Sequence, residues 1–287
     1  MKKYLSLVKF SHTIFALPFA ILGFILGVHT DPNFFDFMLF GLILACMLFA
    51  RNAAMAFNRY IDRDIDASNP RTSGREIPAG LIKPSNALLF VLVNCILFVL
   101  ATFFINRICF YLSPIALLVI LGYSYTKRIS ALCHFILGLG LSLAPIGAFL
   151  AVTGQFAMAP VLYGLAVLTW VSGFDIIYAL QDESFDKSMN LKSVPVALGR
   201  KNAMLLSSVL HVITGLLLIF AGYTISLQYE ELFWLHWSGT AIFLILLFYQ
   251  HYIISPKDLS KVNMAFFTTN GVASILFGLL VITDFYL

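Results

Sequence analysis

Long runs of apolar residues dominate the chain, and shorter polar segments separate them. Each run has about 20 residues, which is enough for an α-helix to cross a hydrocarbon core of ~30 Å. A membrane β-barrel would show alternating apolar and polar positions, whereas these runs are continuous. Helices are therefore predicted, because a helix satisfies its backbone hydrogen bonds within one segment. We predict nine spans, at roughly 12–29, 36–60, 86–105, 108–124, 132–152, 157–180, 203–225, 233–254 and 264–285.

The composition supports a membrane location. Of the 287 residues, 60% are hydrophobic and 11% are charged, whereas about 25% of the residues in soluble domains are charged. The four cysteines lie in apolar runs without ligand spacing, which predicts packing roles and not metal ligands or disulfides. They are Cys46, Cys95, Cys109 and Cys133. We predict an all-α polytopic membrane protein with one domain, residues 1–287, in which nine transmembrane helices surround a central cavity.

The basic residues are distributed unequally between the predicted loops. Sixteen of the eighteen Lys and Arg residues lie at the N-terminus or in the loops after spans 2, 4, 6 and 8. The exceptions are Arg107, in the loop after span 3, and Arg51, within span 2. The positive-inside rule therefore predicts that the N-terminus and these four loops are cytoplasmic.

Two acidic clusters follow spans 2 and 6, each at the predicted cytoplasmic end. In the first cluster, Asn58, Asp62 and Asp66 are spaced at i, i+4 and i+8. Such positions share one face of a helix. The second cluster has a similar stripe, which starts inside the span. Its members are Asp175, Tyr178, Asp182 and Asp186.

Several carboxylates on one helix face repel each other and are costly near a bilayer, so a positive partner is expected. Mg²⁺ prefers oxygen ligands and is often held by carboxylates together with substrate phosphates. Basic residues, which suit phosphate oxygens, accompany both clusters. They are Arg59, Arg63, Arg71, Arg75, Lys127, Arg128, Lys187 and Lys192. The pattern favours a Mg²⁺-bridged diphosphate with a lipid tail in the bilayer; the alternative is a set of salt-bridged helix ends.

The motifs resemble those of the UbiA superfamily of membrane prenyltransferases. The first acidic stripe matches the family's NxxxDxxxD motif, and Tyr178, Asp182 and Asp186 match its second motif. Tyr123 and Lys127 match a YxxxK motif, which Arg128 follows. The segment 69–80 resembles the family's NPRT…RPLPAG segment, although Glu76 stands where many members have Pro. The order of these motifs and the nine helices extend the resemblance over the whole chain.

The resemblance, combined with this chemistry, implies a role for each site residue. Mg²⁺ and the diphosphate of a polyprenyl donor are expected to bind between the acidic motifs, basic residues to neutralise the leaving group, and tyrosines to stabilise the allylic cation. The implied Mg²⁺ ligands are Asn58, Asp62, Asp66, Asp182 and Asp186. The implied diphosphate ligands are Arg71, Lys127, Arg128 and Lys192. The implied cation-stabilising residues are Tyr123 and Tyr178.

Two further residues, Arg51 and Asp175, each have two candidate roles in this scheme. Arg51 lies seven residues before Asn58, on the same helix face and about two turns deeper. It either pairs with a buried acid such as Asp175 or, as the resemblance favours, binds an acceptor carboxylate together with Asn58. Asp175 is expected to orient the acceptor hydroxyl or to accept the ring proton. The histidines share no spacing, and His134 is interpreted as a packed or interfacial residue.

The leading hypothesis is an enzyme that prenylates a carboxylated aromatic acceptor in ubiquinone or menaquinone synthesis. Its expected partners are a polyprenyl diphosphate, an aromatic acid such as 4-hydroxybenzoate and membrane lipid, with no nucleic acid. The expected location is the bacterial inner membrane, with the active site facing the cytoplasm. The alternative is a transporter with the acidic stripes as a cation path. A transporter should have acids near mid-membrane and often inverted repeats, whereas these acids crowd one face.

Overall fold

A computed structural model describes residues 2–8, 15–30, 36–229, 232 and 234–287. Over these residues the chain is helical and forms no strand. The helices of the first half are α1 (Lys2–Leu7), α2 (Leu17–Thr30), α3 (Phe37–Ile61), α4 (Arg63–Ser68), α5 (Pro84–Ile105) and α6 (Arg107–Ile129). Those of the second half are α7 (Cys133–Thr153), α8 (Met158–Ala179), α9 (Glu183–Ser188), α10 (Val194–Gln228), α11 (Leu235–Ile253) and α12 (Asn270–Asp284). The predicted all-α class is confirmed.

Seven helical segments in the described ranges are long and apolar enough to cross a membrane. They are Phe37–Ile61, Pro84–Ile105, Arg107–Ile129, Cys133–Thr153, Met158–Ser188, Val194–Gln228 and Met264–Asp284. The first predicted span corresponds to α2, which has 14 residues; its predicted start at 12–14 lies outside the described residues, as does residue 233 of the eighth. The eighth corresponds to α11, whose His236, Gln250 and His251 lower its hydropathy. Nine spans therefore stay a prediction.

The chain divides into two compact units, and the first combines residues 1–13 with 36–126. In this unit α3 packs along α5. Small side chains allow this packing: Ala53 and Ala56 of α3 and Ala87 of α5 are fully buried. Leu7 of α1 completes the same apolar cluster, which is where the N-terminal helix contacts α3.

The loop from 69 to 82 in this unit is folded tightly by a buried glutamate. The side chain of Glu76 is 8% exposed and accepts a hydrogen bond from the Ser6 hydroxyl of α1. Its backbone carbonyl accepts the N–H groups of Leu81 and Ile82. Gly80 completes the turn with φ +71°, a conformation that side-chain-bearing residues rarely adopt. The residue at which this chain departs from the family segment therefore joins the loop to the N-terminal helix.

The second unit combines residues 14–35 with 127–287, and α8 lies at its centre. This helix packs against α7 on one side and α10 on the other. Trp170 of α8 is fully buried among aromatic rings that include Phe19 and Phe243. Its indole N–H donates to Asn270 Oδ1 at 2.8 Å, which joins α8 to the start of α12. Burial of large rings around one helix gives α8 a rigid position.

A buried histidine and aspartate connect α11 to the end of α12. Asp284 is fully buried, and its Oδ2 accepts both the ring Nδ1–H of His236, at 2.8 Å, and the backbone N–H of the same residue. Its Oδ1 accepts the backbone N–H of Leu235. Both carboxylate oxygens are thus used to cap the first turn of α11, where backbone N–H groups have no helical partner. This pair is a structural contact between two helices.

Candidate active site

The first acidic stripe lies at the junction of α3 and α4, where Asp62 separates the two helices. The predicted stripe has nearly helical spacing despite this break, because Asp62 N–H bonds to Asn58 O and Asp66 N–H bonds to Asp62 O. The Asn58 amide nitrogen donates to Asp62 Oδ2 at 3.0 Å. The structure therefore brings Asn58 and Asp62 into contact and leaves the amide oxygen as the atom of Asn58 that can bind a cation.

Asp66 is buried to the same degree as Asp62, with 4% exposure. Its Oδ1 accepts a hydrogen bond from Arg75 at 2.6 Å, an ion pair that joins the stripe to the 69–82 loop. Its Oδ2 is buried and has no hydrogen-bond partner within the described part of the chain. A buried carboxylate oxygen without a partner is costly, so this atom is suited to a cation.

Arg59 was expected, as one of eight basic residues, to suit phosphate oxygens, but the motif analysis gave it no specific role in the site. Its side chain is 6% exposed, and its buried Nε makes no hydrogen bond within the described ranges. Its charge interacts with those of Asp66 and Arg75. A buried guanidinium that makes no direct ion pair is strongly attracted to an anion. Its burial, which sequence spacing does not reveal, distinguishes Arg59 from the more exposed basic residues nearby, Arg63, Arg71 and Arg75.

Arg51 and Tyr123 belong to the same unit. Arg51 lies in α3, two turns before Asn58, and is half-buried. Its charge interacts with Tyr123 of α6, which is also half-buried. The tyrosine is therefore placed near two cationic side chains, the half-buried Arg51 and the buried Arg59, since it also interacts electrostatically with Arg59. Arg71, a predicted diphosphate ligand, is exposed, and its backbone N–H donates to the Asn69 side chain.

The second acidic stripe extends over three helical segments and not one continuous helix. Asp175 and Tyr178 lie in α8, a 3₁₀ turn spans Leu180–Asp182, and Asp186 lies in α9. Asp186 is 6% exposed and interacts with the Ser193 side chain at the start of α10. The Tyr178 ring packs on Phe266, with ring centroids 4.2 Å apart. The stripe begins beside the aromatic core and ends at a polar helix end.

The predicted basic ligands of the second unit lie beside this stripe. Lys127 interacts electrostatically with Asp186, and its carbonyl accepts the backbone N–H of Lys192 at 2.7 Å. Lys192 is exposed, and its ammonium donates to the Ile129 carbonyl at 2.9 Å. Arg128 is half-buried at the last turn of α6. The backbone contact between Lys127 and Lys192 thus fixes two predicted diphosphate ligands relative to each other.

Asp175 has a partner that sequence analysis missed. Its Oδ2 is 2.6 Å from Nδ1 of His134, which is buried at the start of α7. The two residues are 41 positions apart, so no motif spacing could have indicated the contact. His134 was interpreted as a packed residue, and it is packed, but it also holds a predicted catalytic carboxylate.

The described residues contain no group of three or more His, Cys, Asp or Glu side chains that could hold a metal ion. The donor chemistry within each unit nevertheless fits Mg²⁺, which takes a few protein carboxylates and completes its shell with water and substrate phosphates. The buried Oδ2 of Asp66 is the observation that supports this fit. The four cysteines are free and half-buried.

Comparison with known proteins finds both sequence relatives and solved structures that resemble this chain. A "4-hydroxybenzoate octaprenyltransferase" from Tolumonas auensis is 29% identical over 242 residues, which cover 84% of this chain and 82% of the relative. The apo structure of a UbiA homolog from Aeropyrum pernix K1 has a TM-score of 0.84 and 30% identity, covering 95% of this chain and 98% of that one. A UbiA homolog from Archaeoglobus fulgidus bound to DMAPP and Mg²⁺ has a TM-score of 0.75 and 23% identity, with 99% of both chains covered.

The family match covers most of the sequence. The model of the UbiA prenyltransferase family matches residues 16–272, a range that includes both acidic stripes and all the basic residues discussed above. The resemblance inferred from the motifs is confirmed, and the chain belongs to the UbiA prenyltransferase family.

Proposed function

We propose that the protein is an intramembrane, Mg²⁺-dependent aromatic prenyltransferase. It transfers a polyprenyl chain from its diphosphate to a carboxylated aromatic acceptor, 4-hydroxybenzoate or a related acid, in ubiquinone or menaquinone biosynthesis. The observation that carries the proposal is Asp66, whose buried Oδ2 lacks a partner in the described residues while Arg75 holds Oδ1. Family membership and the names of the bacterial relatives support it.

Each unit contributes acidic and basic side chains to the proposed reaction. Bound Mg²⁺ supplies positive charge to the oxygens of the leaving diphosphate. The basic side chains neutralise the charge that develops as the C1–O bond breaks, which is the preorganised electrostatic contribution expected to be largest. The proposed Mg²⁺ ligands are Asn58, Asp62, Asp66, Asp182 and Asp186. The proposed diphosphate ligands are Arg71, Lys127, Arg128 and Lys192, to which the buried Arg59 is added.

The remaining residues act on the cation and the acceptor. The rings of Tyr123 and Tyr178 stabilise the allylic cation with their π density. Arg51, together with Asn58, binds the acceptor carboxylate, and Asp175 accepts the proton that leaves the ring. The apolar helices exclude water, which would otherwise capture the cation.

The proposed setting is the bacterial inner membrane. The protein acts as one domain, residues 1–287, with nine transmembrane helices around a cavity and a cytoplasmic N-terminus. The concentration of Lys and Arg in alternate loops supports this orientation. The active site then faces the cytoplasm, where diphosphates and aromatic acids are available, and the prenyl chain lies among lipids.

Incubation of the purified protein with geranyl diphosphate, Mg²⁺ and a panel of aromatic acids tests this function. We expect a prenylated product with 4-hydroxybenzoate or a hydroxynaphthoic acid, detected by mass analysis, and no product after addition of a chelator. Release of diphosphate should accompany product formation. Ion flux in proteoliposomes without diphosphate release would instead favour the transporter hypothesis.

Replacement of Arg51 by leucine should specifically weaken acceptor binding. Loss of a charge-assisted hydrogen bond to a carboxylate costs about 1.5–3 kcal/mol, so the KM for the acid should rise roughly 10- to 100-fold. The KM for geranyl diphosphate should change little. Replacement of the exposed Arg107, which lies outside the proposed site, provides the control. An unchanged acceptor KM in the Arg51 variant would argue against carboxylate binding.

A further inference from the structure

We propose that His134 is a positioning residue that holds Asp175 as the acceptor of the ring proton. The inference rests on the proposed prenyl transfer and adds to it a residue that no motif contains. Its basis is the 2.6 Å contact between His134 Nδ1 and Asp175 Oδ2. The histidine side chain is 3% exposed, whereas that of the aspartate is 23% exposed.

The hydrogen bonds around His134 determine where its proton lies. The backbone N–H of Val194, at the start of α10, donates to ring Nε2 at 3.3 Å. A backbone N–H can only donate, so Nε2 is an acceptor and the ring carries its proton on Nδ1. The Nδ1–H group therefore donates to Asp175 Oδ2. In histidines generally, the hydrogen bond made by one ring nitrogen determines which of the two nitrogens carries the proton.

The ring is fixed by three helices. The Ser172 hydroxyl of α8 lies 3.2 Å from the His134 carbonyl of α7, and Val194 contributes the contact from α10. Helices α7 and α8 approach closely because Gly138 has no side chain, and a methyl group there would overlap with the Leu168 carbonyl. The hydrogen bonds at both ring nitrogens and the close packing of α7 on α8 hold the histidine in place, and a fixed donor orients the carboxylate that it binds.

Asp175 has the accessibility that a proton acceptor needs. Its Oδ2 is used by His134, and Oδ1 makes no hydrogen bond to the described residues. Asp175 lies seven residues before Asp182, a separation of about 10 Å along the helix axis. An aromatic ring bonded to C1 of the donor must lie on the hydrocarbon side of the diphosphate. Asp175 therefore lies on the hydrocarbon side of Asp182, the proposed metal ligand. This is the side on which the acceptor ring should lie.

The proton balance of the reaction requires such a group. The C1–O bond of the donor breaks, and its electron pair leaves with the diphosphate. An electron pair of the aromatic ring forms the new bond to C1, which leaves the ring cationic. The ring C–H bond then breaks, its electrons restore aromaticity, and the proton passes to Oδ1 of Asp175. The Nδ1–H group of His134 stabilises the carboxylate before transfer, and the proton finally leaves to water.

The second buried pair of the same unit provides an internal comparison. In the His236–Asp284 pair both carboxylate oxygens accept backbone N–H groups, and the aspartate is fully buried. That carboxylate has no oxygen available for a substrate. Asp175 differs because one oxygen is left open. The two pairs have the same chemistry and different accessibility, which makes His236 a matched control.

The test compares His134→Asn with His134→Leu. Both variants lose the acceptor of the Val194 N–H group, but asparagine carries an N–H donor at the same number of bonds from Cα as His Nδ1. We expect His134→Leu to slow transfer from geranyl diphosphate to 4-hydroxybenzoate by about 100-fold and His134→Asn by less than about 10-fold. Ring-deuterated 4-hydroxybenzoate should react more slowly in His134→Leu but not in the wild type, where proton loss is fast. Diphosphate release without acceptor should be unchanged.

A structural role for the pair would give a different result. If His134→Asn and His134→Leu are equally impaired and show no isotope effect, the inference is overturned. His236→Leu should lower thermal stability without an isotope effect. If the wild-type protein prenylates no aromatic acid, the proposed function fails, and this failure is visible before any variant is made.

Discussion

Replacing Asp66 with asparagine should reduce prenyl transfer by at least about 100-fold. Removal of a residue that only hydrogen-bonds to a metal ligand typically costs about 10- to 100-fold. Asp66 is proposed as a metal ligand itself, so its loss should cost at least the upper value. Asparagine keeps the size of the side chain but removes the charge from the buried Oδ2 and from the ion pair with Arg75. Product formation and the Mg²⁺ concentration needed for half of the maximal rate are the measurements.

Asp64 provides the control for this variant. It lies in the same short helix, α4, but its side chain is 84% exposed and its contact with Arg63 is 3.7 Å long. Such an exposed pair contributes at most about 1 kcal/mol. Asp64→Asn should therefore transfer prenyl groups at nearly the wild-type rate. Equal loss in both variants would mean that α4 as a whole, and not the Asp66 carboxylate, is required.

Replacing Asp186 with asparagine should have a similarly large effect, again about 100-fold or more. Asp186 is buried at the end of the second stripe, beside Lys127 and Ser193. Loss of its charge should weaken donor binding, so the KM for geranyl diphosphate should rise as the rate falls. Diphosphate release without acceptor should fall in parallel with transfer, because both require breakage of the C1–O bond. This parallel loss distinguishes Asp186 from His134.

The matched control for Asp186 is Glu183→Gln. Glu183 begins the same helix, α9, and pairs with Arg200 at a partly exposed position. Its removal should change the rate less than about threefold, since surface ion pairs contribute little. If Asp186→Asn retains wild-type activity at low Mg²⁺ concentration, the assignment of the second stripe to the metal site is wrong.

The all-α fold was predictable because each apolar run is long enough to specify a helix by itself. The breaks within helices and the shape of the loops depend on distant contacts and were not predictable. The first stripe breaks at Asp62 and the second passes through a 3₁₀ turn at Leu180–Asp182, yet a spacing of four residues is compatible with either geometry. The 69–82 loop depends on the contact of Glu76 with Ser6, 70 positions away. Local sequence carries no information about such a contact.

The site shows the same division between local and distant information. The acidic stripes were predictable because metal and phosphate chemistry requires several carboxylates on one helix face. The roles of Arg59 and His134 were not predictable from the sequence. They depend on burial and, for His134, on a partner contributed by another helix. His134 would be an ordinary packed histidine if α7 and α8 met one turn further along. Helix packing, and not helix formation, therefore decides which polar residues can act together.

The fully buried Trp170 gives the protein an internal optical reporter. Its indole lies on α8, five residues before Asp175, whereas Trp234 and Trp237 are 56% and 39% exposed. Aqueous quenchers should suppress the emission of the exposed pair and leave that of Trp170, which should lie at short wavelength. A variant with phenylalanine at the other two positions would contain a single tryptophan, at the centre of the second unit. Substrate-induced changes near α8 could then be followed in real time without an attached dye.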